Sequence, residues 1–162
     1  MHDIYLIACT HFFHTNIIKY ANRPFRDSEE MNTTLVEGWN NVVGKHDIVY
    51  HLGDVAFAPK EQTADIVSQL KGRKILIKGN HDQRSTAWWM SIGFKEVSSH
   101  PVIFKKKYIL SHEPVELSAY SQFTNIHGHI HEKSMNTLKH INVCVEHTCY
   151  RPIALEQLGD LM

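Results

Sequence analysis

What most constrains this chain is a series of short apolar runs, each of which stops at a cluster of ligand-type side chains. The run 4–8 ends at Cys9-Thr10-His11, the run 48–52 at Gly53-Asp54, and the run 74–78 at Gly79-Asn80-His81-Asp82. The run 108–110 leads into Ser111-His112-Glu113-Pro114, and the weaker run 123–126 into His127-Gly128-His129-Ile130-His131. Strand-like segments that repeatedly end this way predict a sheet scaffold. Such a scaffold delivers imidazole, carboxylate and amide groups to one rim.

The segments between these runs predict how the strands are connected. Asp27 can cap a helix, with Glu30 at the capping-box position, and Met31, Leu35, Val36, Trp39, Val42 and Val43 recur at helical spacing before Gly44. Pro59 stands at an expected first helical position, and Ile66, Val67 and Leu70 form an apolar side before Gly72. With 73–78 as the third strand, the first half reads βαβαβ, which argues for parallel strands with crossover helices. A loop through His14 is followed by a short polar stretch with Arg23-Pro24-Phe25. After a short helix over 85–92, short β-type runs dominate, 94–97, 102–104, 108–110, 124–126, 141–145 and 152–155, and they suggest hairpins and a second sheet. Two sheets packed face to face with helices outside, an α/β sandwich in one domain over 1–162, accommodate both halves.

Composition then limits the partners. Of 162 residues, 43% are apolar and 21% charged, as in ordinary globular proteins. The 17 basic and 17 acidic residues balance, so no field favours a long polyanion, and a small phosphorylated substrate fits better than a long nucleic acid. Lys105-Lys106-Lys107 reads as a solvated hairpin turn. No apolar stretch approaches the roughly 18 residues of a membrane span. No basic leader precedes the first strand, so an intracellular, cytoplasmic protein without a membrane partner is expected. Cys9, Cys144 and Cys149 are too few for a disulfide framework, and Cys144 and Cys149 read as reduced structural thiols.

The 13 histidines are the outlier. His2, His46, His100, His140 and His147 carry no pattern that sets them apart, whereas those in the strand-end clusters do. Cys9 and His11 lie at i and i+2, on one side of an extended strand end, and His14 can add a polar contact. Asp54 offers two oxygens with about four lone-pair sites, enough to bridge two cations. Asn80 supplies a neutral oxygen for a hard cation, His81 can donate a proton, and Asp82 can hold the imidazole of His81. Pro114 extends Glu113, a solvated loop carboxylate, and fixes the loop that leaves His112. This donor set suits two cations roughly 3.5–4 Å apart and metal-activated hydroxide attack on a phosphorus ester, with His81 protonating the leaving group.

The order Cys-x-His, Gly-Asp, Gly-Asn-His-Asp, His, Gly-His-x-His resembles the calcineurin-like metallophosphoesterase superfamily, over residues from about Ile4 to His131. Ile141-Asn142-Val143 resembles the closing strand of its small bacterial and phage-type members. The resemblance implies a four-layer α/β/β/α sandwich of two mixed sheets flanked by helices, and hydrolysis of phosphomonoesters or phosphodiesters. It implies that His11, Asp54 and His131 serve a first metal, with Cys9 in the remaining place. Asp54, Asn80, His112 and His129 would serve a second, with Asp54 bridging. His81 matches the family's acid or phosphate-contacting histidine, and His127 matches none of its ligands.

Cys9 departs from the aspartate that the family usually carries. Its softer donor favours Zn or Fe over Mg or Mn at the first site, so Mn, Fe or Zn are expected overall ahead of Mg or Ni. The expected function is hydrolysis of a small nucleotide-like phosphodiester or phosphomonoester. Arg23, Arg26 and Lys60 are weighed as phosphate contacts against solvated surface charge. Two other functions compete: a non-catalytic metal-binding or redox-sensing module altered at Cys9, and a nuclease on single-stranded nucleic acid. The residues leave oligomeric state open.

Overall fold

A computed structural model describes residues 2–118, 121–135 and 137–161; the remaining positions of the expected 1–162 domain lie outside the described residues. Strand β1 (Ile4–Ile7) alternates its side chains between two cores, Leu6 to one and Ile7 to the other. A short helix α1 (Thr15–Tyr20) follows, in the polar stretch for which no element was predicted. It has six residues, no side-chain cap, and only Ile17 buried, so its sequence carries almost no helical signal.

Helix α2 (Ser28–Val42) starts as its sequence suggests, with the Asp27 carboxylate accepting from the Glu30 N–H at 2.9 Å. Such a cap contributes about 1 kcal/mol. Glu30 completes no capping box, because its carboxylate takes the backbone N–H of Arg26 at 2.7 Å. Strand β2 (Ile48–His51) leads to α3 (Lys60–Gln69), which starts one position later than expected, with Pro59 as its N-cap. Then come β3 (Arg73–Ile77), α4 (Thr86–Ser91) capped by Ser85, and β4 (Glu96–Ser98). The second half contributes β5 (Val102–Phe104), β6 (Tyr108–Leu110), β7 (Thr124–His127), β8 (His140–Asn142), β9 (Ile153–Ala154) and a 3-10 helix over Leu155–Leu161.

Two mixed sheets result, flanked by helices, as expected of the α/β sandwich. The first has the order β4-β3-β2-β1-β9, parallel except at β9; the second has the order β5-β6-β7-β8, parallel except at the β5–β6 hairpin. Lys105-Lys106-Lys107 forms the turn of that hairpin, as predicted. Register puts Ile7, Val49 and Leu76 on one face of the first sheet, where they pack with Met31, Leu35 and Trp39 of α2, Ile66 and Val67 of α3, and Trp89 of α4. The opposite face brings Leu6, Leu52 and Ile77 against Leu110, Ile126 and Ile141 of the second sheet. Among the described residues, no helix is long and apolar enough to cross a membrane.

This topology sets the rim. Parallel strands β1, β2 and β3 of one sheet, and β6 and β7 of the other, all present their C-terminal ends there, the edge at which open α/β sheets place functional groups. The loops leaving β1 and β2 run on side by side: Cys9 N–H donates to Gly53 O (2.9 Å), His11 N–H to Asp54 O (3.0 Å) and Phe12 N–H to Val55 O (2.9 Å). Ala8 joins the sheets, donating to Val143 O (2.9 Å) and accepting from Val145 N–H (3.2 Å).

Candidate metal centre

Four polar groups from four loops converge on one point. His112 Nε2 lies 2.9 Å from Asn80 Oδ1, 3.1 Å from His129 Nδ1 and 3.3 Å from Asp54 Oδ2. The other nitrogen of His112, Nδ1, faces the Leu52 carbonyl at 2.7 Å and therefore carries a proton. In the neutral ring, Nε2 is then a lone pair facing the oxygens of Asn80 and Asp54 and a ring nitrogen of His129. A cation at that point would satisfy all four atoms at once. Burial works against charge on His112, but the Asp54 carboxylate and the Leu52 carbonyl outweigh it and raise its pKa. Burial would likewise raise Asp54, yet the hydrogen bond and charge of His112, with His11 and the His81 N–H, hold its carboxyl below the usual range.

A second set lies on the other side of Asp54. Its Oδ2 is 3.5 Å from His11 Nε2, a buried atom without a hydrogen-bond partner. Ligand atoms of Cys9, His11 and Asp54 lie within 4.8 Å of one another, and the same holds for Cys9, His131 and Cys144. His11 Nδ1 meets His14 Nδ1 at 3.1 Å, the polar contact anticipated for His14, and His11 Nε2 faces Asp54. His131 Nδ1 lies 3.4 Å from Glu146 Oε1, an ion-pair distance without a hydrogen bond. Burial pushes the Cys9 thiol well up, the neighbouring Cys144 and Asp54 push it further, and the His129 N–H at 3.2 Å from Sγ opposes them. The donors of both sets fit divalent cations.

Backbone strain recurs at these ligand-type residues. Cys9 (φ 57°), His11 (φ 50°), Asp54 (φ 58°), His129 (φ 69°) and His131 (φ 49°) are all left-handed. Each such non-glycine conformation costs about 1–3 kcal/mol and persists only where the surroundings dictate it. Close approach explains two glycines: a Cβ on Gly79 would stand 2.2 Å from Asp54 Oδ1, and one on Gly53 (φ 90°) would stand 2.5 Å from Gly79 N.

Asp82 is placed differently from its expected role. Its Oδ2 accepts from the N–H groups of Asp54 (2.6 Å) and Gly79 (2.8 Å), and Oδ1 from Val55 (3.1 Å). The carboxylate clamps two loops, and among the described residues no hydrogen bond joins it to the His81 imidazole. The His81 N–H donates to Asp54 Oδ1 at 3.1 Å, and its exposed ring lies against Phe57, with centroids 4.9 Å apart. His127 is fully buried, with Nδ1 facing Gly128 O, and burial lowers its pKa to about 4. Glu113 is exposed, as expected.

Arg23 matches neither reading weighed for it. It is buried, with Nε donating to Glu146 Oε1 (2.8 Å), Nη1 to Thr10 O (3.0 Å) and Nη2 to Cys9 O (2.6 Å). Arg26 is a surface charge paired with Glu30, and Lys60 opens α3 on the surface. Glu146 and Phe57 carry no sequence signal. Arg23 and Glu146 are 123 positions apart, and only the fold brings them under the Cys9 and His131 loops.

The comparisons agree with this geometry. The profile of the calcineurin-like phosphoesterases matches residues 2–161, and the chain belongs to that family. An uncharacterized protein of Methanocaldococcus jannaschii is 38% identical over all of this chain and 92% of its own length. The gene 66 protein of Mycobacterium phage L5 is 36% identical over 51% of this chain and 41% of its own length. The crystal structure of a protein of unknown function from Aquifex aeolicus superposes over the whole of both chains with a TM-score of 0.76 at 26% identity. Membership implies a phosphoester hydrolase that depends on divalent metal, and the clusters above are candidate ligand groups for it.

Proposed function

We propose that this chain hydrolyses a small phosphodiester or phosphomonoester, nucleotide-like in size, at a dinuclear metal centre. The observation that carries the reading is the meeting of Asp54, Asn80, His112 and His129 at a single point, with His11 facing the same Asp54 oxygen from the other side. Asp54, Asn80, His112 and His129 would hold one cation, and Cys9, His11, Asp54 and His131 the other. Asp54 Oδ2, which faces both histidine sets, would be shared. Bound divalent cations supply a hydroxide nucleophile near neutral pH and neutralise the phosphoryl oxygens.

The chain's own residues do the rest. Asp82 fixes the loops that carry Asp54 and Asn80, so that both donors are set before a substrate arrives. His81 is anchored by its backbone to Asp54 and leaves its ring free at the mouth of the site. As the ester P–O bond breaks, the leaving oxygen takes a proton from that ring. His14, Tyr20, Phe57, His81 and Lys133 line a cleft of about 530 Å³ beside the metal ligands, a size suited to a small molecule.

The test is turnover of bis-p-nitrophenyl phosphate and p-nitrophenyl phosphate by metal-free protein supplied with Mn, Fe, Zn or Mg. Turnover with at least one metal is expected, and His81→Asn is expected to lower kcat by about 10²–10⁴-fold. Folded protein that turns over neither ester with any metal would overturn the reading.

A further inference from the structure

Cys144 belongs to no ligand set that the sequence pattern supplies, yet it stands beside two members of the first one, Cys9 and His131. It is fully buried, and its Sγ lies within 4.8 Å of both the Cys9 Sγ and a ring nitrogen of His131. Its position is fixed twice. The Cys144 N–H donates to Asn142 Oδ1 at 2.9 Å, and Asn142 Nδ2 donates to the carbonyls of His131 and Lys133, each at 2.9 Å, so one amide ties the thiol to the histidine loop. An isolated parallel bridge between Ala8 and Cys144, just past the ends of β1 and β8, brings the two cysteine-bearing segments together. Two buried thiols beside an oriented imidazole make a soft, nitrogen-completed donor set.

We propose that Cys144 is a ligand of the first cation, which therefore sits on two thiolates, from Cys9 and Cys144, together with His131. This rests on the dinuclear reading above and narrows it to a thiophilic cation, Zn(II) or Fe(II), at that position. As each sulfur–metal bond forms, the thiol gives its proton to the solvent, so loading releases one proton per cysteine. The second position, made of oxygen and nitrogen donors, has no such preference.

Cobalt(II) reports thiolate ligation directly. Metal-free protein is loaded with cobalt under anaerobic conditions, bound metal is counted by elemental analysis, and near-ultraviolet sulfur-to-cobalt absorption is compared among variants. Cys144→Ser and Cys9→Ser are each expected to lose about half of that absorption, the double variant nearly all, and the exposed Cys149→Ser none. Absorption unchanged in Cys144→Ser overturns the proposal while leaving the dinuclear site intact. Wild-type protein that binds no cobalt overturns both.

A variant that does not fold is bypassed by X-ray absorption of zinc-loaded wild-type protein. Two sulfur neighbours per protein at about 2.3 Å are expected, and one or none would overturn the assignment.

Discussion

Asp82 shows how much a single carboxylate can organise. Its two oxygens receive three backbone N–H groups, from Asp54, Val55 and Gly79, and so fix the two loops that present Asp54 and Asn80. Burial raises its pKa, although the three N–H donors oppose that shift. Asp82→Asn keeps the volume but replaces one acceptor oxygen with an amide donor. It is expected to destabilise the chain by about 1–3 kcal/mol in urea unfolding, with a loss of metal affinity. Unchanged stability would contradict the clamp. Sequence reasoning paired Asp82 with His81 because the two are adjacent. The loops it joins lie 28 positions apart, which no local pattern discloses.

At the scale of elements, strand ends were the legible part. Each apolar run that stops at a ligand cluster became a strand with its cluster on the rim, because alternation and burial are local properties. The parts beneath the rim were not legible. Arg23 lies just past α1, a helix too short to announce itself, and reaches under the site to Glu146 and to the carbonyls of Cys9 and Thr10. Nor did the sequence foretell the left-handed backbone at Cys9, His11 and Asp54, which the braced loops impose. Arg23→Leu strands the buried Glu146 carboxylate. It should destabilise the chain by about 3–5 kcal/mol in urea unfolding, and adding Glu146→Gln should recover part of that loss. Equal stability in Arg23→Leu and wild type would show that the brace contributes nothing.

At the scale of the molecule, buried histidines make the fold sensitive to acid. The Thr10 hydroxyl donates to Val55 O at 2.8 Å, so it accepts from His51 Nε2 at 2.9 Å, and Nδ1 of that ring is left buried without a partner. A second proton there has no acceptor, and burial lowers the His51 pKa to about 3; the corresponding value for His127 is about 4. Both folded-state values lie below the unfolded one. Their stabilisation is therefore complete above the unfolded histidine pKa near 6.5 and is lost as pH falls toward 4. The loss is about 1.4 kcal/mol per pH unit for each group in the steep range. Urea midpoints of metal-free protein between pH 7.5 and 4.5 should fall accordingly, and a flat profile would refute the neutral assignment. The sandwich and the parallel first half were readable from the strand order, whereas the second half suggested hairpins and is parallel except at β5–β6. The sharing of Asp54 between two donor sets needed the packing of both sheets.

The most direct measurement of the central claim is anomalous diffraction from crystals of the zinc-loaded protein. The account predicts two metal peaks roughly 3.5–4 Å apart, with Asp54 between them, Asn80, His112 and His129 around one, and His11 and His131 around the other. A single peak, or two peaks that do not share Asp54, would contradict it.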